Sequence, residues 1–451
     1  MRGQGKGEAS LGMGQIQDLR ELLRELLLGL ERAGVERRQA FSLLWRLLLI
    51  RQRACQEPSS GLTEVWKRLE GLTTDVGNGI GMEMTTLDSD GHELLGDSLG
   101  FFWSAFTDKV LRRLIFELSL GFKGLEDEVM GEVLRQLIEE FWLREGELAQ
   151  GWLPKSLVSL MVALLGPLSE GTVYEPMGTM GQCLIALVRQ SESRDGCLGL
   201  LPEWASFARL FLRLQGLDEI RCCLPDQLPD GPLAGVIGVL PLLQEDWRRT
   251  TEKLGSRTEE LVSLGKSVSH YLTLLRPGGQ AVLVVPPGVL FRERDAQFRR
   301  EWVEQGCLLS VMMLPSKLFF HTPMAAALLL FERPTGSIPE REIGFIDAEA
   351  AGLSLEESSH QRLLTLMEQR KGQTGVAAWV SREQIERESY TLSVTRYLTE
   401  GGKRLDWPQA WESEWQRLKA LEQRQTEALD EMRACWERLG LTLPIEDEVT
   451  G

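Results

Sequence analysis

The chain has 451 residues, 43% of them hydrophobic, so it is long enough for two or three domains with an ordinary buried core. Its formal net charge of −16 excludes a protein that holds nucleic acid by its overall charge, so contact with DNA would need a basic patch or a basic partner. The 7 cysteines show no zinc-ligand spacing, which predicts no metal site and a reducing, cytoplasmic environment. The N-terminus does not resemble a signal peptide, and the most apolar predicted helix, Leu157 to Leu165, is too short to cross a bilayer.

The first third of the chain predicts a helical domain. Residues 1–14 are glycine-rich and polar, which predicts disorder. From residue 15 to residue 150, apolar side chains recur at helical spacing, and a second helix is predicted over Glu36 to Gln56. A glycine-rich loop is predicted over Gly77 to Gly100, followed by two or three further helices.

Residues 151–400 predict an α/β domain. Helices are predicted between most of its strands, which favours a mainly parallel sheet, whereas the short link before Ala326 predicts an antiparallel last strand. Seven segments have the composition of strands: Thr172–Tyr174, Gly196–Leu200, Glu219–Cys223, Gly235–Val239, Gln280–Val285, Leu308–Met313 and Ala326–Phe331.

The α/β domain is organised around Gly171 to Leu184, with the sequence GTVYEPMGTMGQCL. This segment predicts a strand ending at Glu175, a turn containing Gly178 and Gly181, and a helix that continues to Val188. In nucleotide-binding α/β proteins, the first such turn brings backbone N–H groups and a helix N-terminus to a bound ligand.

This segment and the apolar helix before it, GWLPKSLVSLMVALL, resemble adenine-specific DNA methyltransferases, and more closely the modification subunit of type I restriction systems. That family carries a phenylalanine-x-threonine-proline element, an apolar helix and then DPACGTGGFL. The resemblance implies a Rossmann-like, class I S-adenosylmethionine-dependent methyltransferase fold with a mainly parallel seven-stranded sheet. Four later segments follow in the family's order: LRPGGQAVLVVPPGVLF from Leu275, LPSKLFFHT from Leu314, VSREQI from Val380 and YTLSVTRY from Tyr390.

The catalytic turn of this family has the form Asn/Asp-Pro-Pro-aromatic and follows strand four. Its polar side chain and a proline carbonyl accept hydrogen bonds from the adenine amino group, and its ring stacks on the flipped base. By resemblance the turn falls on Val239, Leu240, Pro241 and Leu242, which keep one proline but no side-chain acceptor and no ring. The resemblance therefore implies that the chemistry is lost.

The positions that hold S-adenosylmethionine in the family are altered as well. Leu153-Pro154 replaces the threonine-proline pair, and Glu175 replaces the aspartate of the loop. After strand two, Gly199 stands where a ribose-binding glutamate is expected, with Glu203 as a displaced substitute.

The loop glycines can be aligned in two ways. Without a gap, Thr179, Gly181 and Gln182 occupy the three glycine positions; with a one-residue deletion, Gly178 matches and Met180 occupies a glycine position. Either alignment places a bulky residue where the backbone approaches the ligand. Asp226 keeps a family role, beside the adenine of the cofactor.

The segment 401–451 predicts a long helix with an apolar stripe. Two interpretations of this stripe are open: packing on the N-terminal helices of the same chain, or docking on a partner, as the family's C-terminal helices dock on a DNA-specificity subunit. The stripe comprises Trp411, Trp415, Leu418, Leu429, Met432, Trp436 and Leu439, with Glu422 and Gln425 interrupting it.

The leading hypothesis is a pseudo-methyltransferase that serves as a structural or DNA-clamping subunit of a restriction-like or other defence assembly. The second is an active adenine methyltransferase that uses Glu175, Glu203 and Asp226 in an altered pocket. The third is a sensor that binds a nucleotide or small ligand in the same crevice. Each site residue also has a structural alternative: Gly178 and Gly181 as turn residues, Glu175 as a capping or solvated carboxylate, and Asp226 as a turn residue.

Overall fold

A computed structural model describes the following residues: 5–58, 61–89, 106–122, 126–141, 152–177, 180–200, 202–223, 229, 231–242, 263–316, 318–319, 325–354 and 356–398. Met1–Leu398 forms one compact unit and Thr399–Gly451 forms another. Three predictions lie outside the described residues: the roles of Gly178 and Asp226, and the helix over 401–451.

In the described part of residues 1–150, the chain forms six helices: α1 (Gly5–Arg32), α2 (Arg37–Gln56), α3 (Gly61–Gly71), α4 (Val76–Ser89), α5 (Asp108–Gly121) and α6 (Asp127–Phe141). The prediction of disorder over residues 1–14 is wrong from Gly5 onwards, because α1 begins there. Lysine, glutamate, alanine and leucine lie between the glycines of this segment, and they extend the apolar helix that follows.

The predicted loop over Gly77 to Gly100 is wrong in its first half, which forms most of α4. Two features outweigh the poor helix propensity of its glycines. The side chain of Asp108, on α5, accepts hydrogen bonds from the backbone N–H groups of Asp75 and Val76 at 2.9 and 2.8 Å. Val76 and Ile80 are also fully buried. The loop prediction used only local composition, which cannot show a capping carboxylate from another helix.

The sheet has nine strands: β1 (Val173–Glu175), β2 (Gly196–Gly199), β3 (Arg221–Cys223), β4 (Leu233–Val239), β5 (Leu275–Val285), β6 (Leu308–Leu314), β7 (Ala326–Glu332), β8 (Ile343–Asp347) and β9 (Ala377–Val380). Their order is β3-β2-β1-β4-β5-β7-β6-β8-β9. In this order, the first five strands, β3, β2, β1, β4 and β5, all pair in parallel. The strand β7 runs antiparallel to both β5 and β6.

The α/β prediction is confirmed, and each of the seven predicted strands corresponds to one of β1 to β7. The predicted sheet lacked β8 and β9, which extend it beyond β6. Both are short, and β8 contains Gly344, so their sequences give a weak strand signal. Their pairing with the already formed β6 supplies the stability that their composition does not predict.

Helices cover both faces of the sheet: α7 (Lys155–Leu165), α8 (Gln182–Gln190), α9 (Pro202–Arg213), α10 (Leu264–Leu274), α11 (Ala296–Glu304), α12 (Gln361–Gln369), α13 (Arg382–Arg387) and α14 (Val394–Leu398). Alternate residues of β5 therefore enter different cores: Val282 and Val284 join one, and Leu283 and Val285 join the other. A strand buried on both faces explains the continuous apolar run of β5.

The helices before the sheet share one of these two cores. Trp45 of α2 is fully buried and stacks on Phe207 and Phe211 of α9, with ring centroids 4.2 and 5.6 Å apart. Arg53 of α2 donates to the carbonyl of Arg213 at 2.9 Å. The predicted helical segment thus packs directly on the helix that follows β2.

Candidate functional site

The candidate site is the crevice at the carboxyl ends of β1, β2 and β4. The strand β1 lies between β2 and β4, so the chain direction across the sheet reverses at this point. In open α/β sheets, ligands bind outside the carboxyl ends of the strands at such a switch point. Four sequence-predicted positions meet here: Glu175, Gly181, Gly199 and the Val239–Leu242 turn.

The turn from β1 to α8 has a left-handed backbone at two described positions. Gly181 is the N-cap of α8 with φ +69°, and Met177 has φ +53°. A Cβ on Gly181 would lie 3.0 Å from Cδ2 of Leu198, on β2. Both the left-handed backbone and this close approach favour glycine, so the tight turn alone accounts for Gly181.

Glu175 ends β1 and points into the protein. Its side chain is 4% exposed, and its Oε2 accepts a hydrogen bond from the backbone N–H of Leu184 at 2.7 Å. Burial raises the pKa of Glu175 to about 8, although the hydrogen bond from Leu184 acts in the opposite direction. At pH 7 this carboxyl is mostly protonated, and it links the end of β1 to the first turn of α8.

Gln182, at the first position of α8, contacts the segment before α7. Its Oε1 accepts from the backbone N–H of Leu153 at 2.8 Å, and its Nε2 donates to the Leu153 carbonyl at 3.1 Å. The neighbouring Pro154 is buried and is the N-cap of α7. Leu153 stands at the family's threonine position, and Gln182 stands at a family glycine in the ungapped alignment; here the two residues satisfy each other's hydrogen-bonding groups. Sequence reasoning missed this contact, whose only signal is a side-chain amide able to donate and accept.

Met180 and Gly199 line the same region. Met180 is 1% exposed and packs in the core that also contains Leu184. A Cβ on Gly199 would lie 2.5 Å from the Tyr174 hydroxyl oxygen, so the tyrosine occupies the space of a side chain at this position. Glu203, the displaced substitute, belongs to α9, and its side chain lies outside the described part.

The Val239–Leu242 turn lies against β1 and β5. Leu240 is fully buried, and its N–H donates to the carbonyl of Val284 at 2.9 Å. Just before the turn, a Cβ on Gly238 would lie 3.2 Å from the carbonyl oxygen of Pro176. The turn therefore offers backbone carbonyls but no side-chain hydrogen-bond acceptor.

The described crevice residues contain one carboxyl group, Glu175, and it is largely neutral at pH 7. A ribose hydroxyl or an ammonium group is best bound by an ionised carboxylate. The described residues therefore supply no ionised carboxylate for the ribose or the amino-acid part of S-adenosylmethionine. Within the same part of the chain, no group of three or more histidine, cysteine or carboxylate side chains is placed to hold a metal ion. Among the helices of that part, none has the length and apolar character needed to cross a bilayer.

The comparisons with known proteins agree on one family. Residues 260–404 match the model of the N-6 DNA methylase family. A type I restriction enzyme MpnII methylase subunit from Mycoplasma pneumoniae is 28% identical over 29% of this chain and 25% of its own length. The MjaVII methylase subunit from Methanocaldococcus jannaschii is 21% identical over 69% of this chain and 60% of its own length. The chain thus spans between a quarter and 60% of these relatives.

Solved structures show the same fold. The type I restriction-modification methyltransferase subunit from Streptococcus thermophilus aligns with a TM-score of 0.63 at 16% identity, covering 86% of this chain and 99% of that one. A proposed class I S-adenosylmethionine-dependent methyltransferase from Listeria monocytogenes aligns with a TM-score of 0.50 at 15% identity, covering 79% and 98% of the two chains. With the sequence matches, these likenesses confirm the predicted fold and the predicted resemblance. Residues 260–404 therefore match the N-6 DNA methylase family, and the chain is similar to type I modification subunits in sequence and in fold.

Proposed function

We propose that this chain is a pseudo-methyltransferase, a modification-subunit-like protein that keeps the family fold and has lost methyl transfer. It serves as a structural, DNA-clamping subunit of a restriction-modification or other defence assembly. The observation that carries this proposal is the turn after β4, where Val239–Leu242 supplies no side-chain acceptor.

The chemistry explains why this turn is decisive. The exocyclic nitrogen of adenine is a weak nucleophile, and it needs acceptors for its two hydrogens before it attacks a methyl group. Val239 and Leu242 have wholly apolar side chains, and Leu242 cannot stack on a base. A donor left without its acceptor in a dry site costs about 1–3 kcal/mol, and the activation itself is absent.

The cofactor side of the crevice supports the same proposal. Gln182 is engaged by both backbone polar groups of Leu153, and Met180 is packed into the core. Glu175 is bonded to α8 and is mostly neutral at pH 7. Each missing charge-assisted hydrogen bond weakens a ligand by roughly 1.5–3 kcal/mol. Loss of two or three such bonds is enough to remove micromolar binding.

The proposed role in an assembly rests on charge and on the relatives. A chain with a net charge of −16 needs a basic partner or patch to reach DNA, and the matched relatives are named as subunits of type I enzymes. We assign contact with a specificity-type subunit to the apolar stripe of the 401–451 segment. Sequence choice on DNA would then come from that partner.

The proposal is tested first by binding. The purified chain is titrated with S-adenosylmethionine in a calorimeter, and thermal unfolding is followed with millimolar ligand. We expect neither heat nor a shift in melting temperature. Micromolar binding that is lost in Glu175→Ala but not in Glu170→Ala, an exposed control, would overturn the loss of the cofactor site. Pull-downs with and without residues 401–451 then test the partner: we expect the truncated chain to lose the specificity-type subunit.

One observation favours a second candidate, a sensor that binds a small ligand without turnover. The β1 turn still ends in a left-handed glycine before α8, which is the arrangement that presents helix N–H groups to an anion. A melting shift with a nucleotide or S-adenosylmethionine, and no methyl transfer, would favour this candidate. Methyl transfer to DNA would instead favour the active enzyme that uses Glu175, Glu203 and Asp226.

A further inference from the structure

Two thiols contact each other where β2 meets β3. Cys197 of β2 pairs with Arg221, two residues before Cys223, so Cys197 and Cys223 project from the same face of the sheet. Their sulfur atoms are 3.0 Å apart, about 1 Å more than a disulfide bond. The Sγ of Cys223 lies 3.7 Å from the carbonyl oxygen of Leu198, so its side chain leans over β2.

The two thiols have different surroundings. Cys197 is 2% exposed, whereas Cys223 is half-buried on a strand at the edge of the sheet. The hydrogen bond between them lowers the pKa of Cys197 and raises that of Cys223. Arg221 also favours the Cys197 thiolate. A small reagent can therefore reach Cys223, and the more deeply buried sulfur of Cys197, which has thiolate character, lies next to it.

We propose that Cys197 and Cys223 form a thiol–disulfide site that reacts with small organic disulfides such as oxidised glutathione. The sulfur of Cys223 passes its proton to the Cys197 sulfur 3.0 Å away and attacks one sulfur of the reagent as a thiolate, which breaks the reagent's S–S bond, forms a mixed disulfide and releases one thiolate. The sulfur of Cys197 then attacks Cys223, forms the cross-strand disulfide and releases the second thiolate. The two protons of the protein thiols pass to the two released thiolates, so two cysteines are oxidised and one disulfide is reduced.

The bond needs a small movement of β3. Parallel strands lie about 4.8 Å apart and rise about 3.3 Å per residue, so positions two residues out of register are about 8 Å apart at Cα, which is long for a disulfide. The strand β3 has only three residues, Arg221–Cys223, and pairs on one side with β2, so a shift of β3 along β2 breaks few hydrogen bonds. Cys223 is the register partner of Gly199, at the mouth of the crevice. Oxidation would therefore restrain the crevice edge of β3, whether or not the crevice binds a cofactor.

Mass spectrometry of the intact full-length chain tests the site. The folded protein is incubated with oxidised glutathione, quenched with acid, denatured, alkylated and digested. We expect a peptide containing Cys197 linked to the peptide containing Cys223, and its loss after dithiothreitol. The buried Cys183 and Cys307 serve as internal references and should be recovered alkylated. Recovery of both Cys197 and Cys223 in alkylated form after oxidant treatment would overturn the proposal.

Cys222 provides a matched control because it is adjacent to Cys223 but projects from the opposite face of β3. Cys222→Ser should keep the linkage to Cys197, and Cys223→Ser should lose it without transfer to Cys222. A wild-type chain that links Cys197 mainly to Cys222, or that forms the linkage only after denaturation, contradicts the assigned geometry.

Discussion

The crevice and the closing segment from Tyr390 to Leu398 both resemble family motifs, but they differ in what their residues do. In the closing segment, the N–H of Leu392 donates to the carbonyl of Leu290 at 2.8 Å, and the Tyr397 hydroxyl donates to the carbonyl of Thr391 at 2.6 Å. These residues hold the fold together. In the crevice, the altered positions Leu153 and Gln182 bond to each other. On the proposed function, motif residues with a structural task are kept, and those that only hold a ligand are replaced by groups that hydrogen-bond within the protein.

The largest expected effect concerns the crevice, where Glu175 should make the stability of the protein depend on pH. Its pKa is raised from 4.5 to about 8, so the folded state binds the proton more tightly than the unfolded state. The contribution of the Glu175 carboxyl to the free energy of unfolding is fully present below pH 4.5. It is lost as the pH rises through 8, a change of up to about 5 kcal/mol. We expect Glu175→Gln to remove this pH dependence, as measured by urea unfolding at pH 5, 7 and 9.

The control for this prediction is Glu170→Gln, because Glu170 is 80% exposed and forms only a surface pair with Arg276. It should keep the wild-type dependence on pH. A Glu175→Gln variant that loses stability with rising pH as steeply as the wild type would show that Glu175 is ionised in the folded protein.

A smaller loss is expected at Arg299, which connects α11 to the closing segment. It is 2% exposed and donates to the carbonyls of Val289, Arg292 and Tyr390 at 3.0, 2.8 and 2.9 Å. Arg299→Met leaves these carbonyls without their donor and should lower the free energy of unfolding by about 3 kcal/mol. Denaturant titration at pH 7 measures the change.

Arg300 is the matched control on the same helix, since it is exposed, pairs with Glu304 and meets the closing segment at the Tyr390 ring, 5.5 Å away, rather than at a backbone carbonyl. Arg300→Met should change stability by roughly 0.5 kcal/mol. Equal effects of the two substitutions would refute the structural role assigned to the closing segment.

The smallest change is expected at Gln182, in the crevice. Gln182→Gly introduces the glycine of the ungapped family alignment but removes both hydrogen bonds to Leu153, and it should cost about 2 kcal/mol. Gln182→Glu keeps the acceptor for the Leu153 N–H and loses only the donor, so its cost should be roughly half as large. Differential scanning calorimetry ranks the three proteins. A Gln182→Gly chain as stable as the wild type would mean that the pair with Leu153 contributes nothing.

Much of the fold was predictable because its signals are local. The seven apolar strands alternate with helices, and the glycine turn before α8 is visible in GTVYEPMGTMGQCL. The missed parts depend on contacts between distant residues. Asp108 caps α4 from another helix, and β8 is stabilised by its pairing with β6. The pair formed by Leu153 and Gln182 likewise joins residues 29 apart in the chain.

The position of the candidate site was predictable, but the protonation and the contacts of its residues were not. The family resemblance assigned Glu175, Gly199 and Val239–Leu242 to one site, and they lie at the carboxyl ends of β1, β2 and β4. The raised pKa of Glu175 depends on its complete burial, which no local pattern reveals. The 3.0 Å contact between Cys197 and Cys223 depends on the register of β2 and β3 in the same way.

The most direct test of the central claim is methyl transfer itself. The full chain is incubated with radioactive S-adenosylmethionine, unmethylated DNA and candidate specificity subunits, and N6-methyladenine is then measured in the DNA. The turn at Val239–Leu242 predicts no transfer above the level of a reaction without the chain. Methylation of adenine that requires this chain would contradict the account, and would place the missing acceptors elsewhere in the crevice.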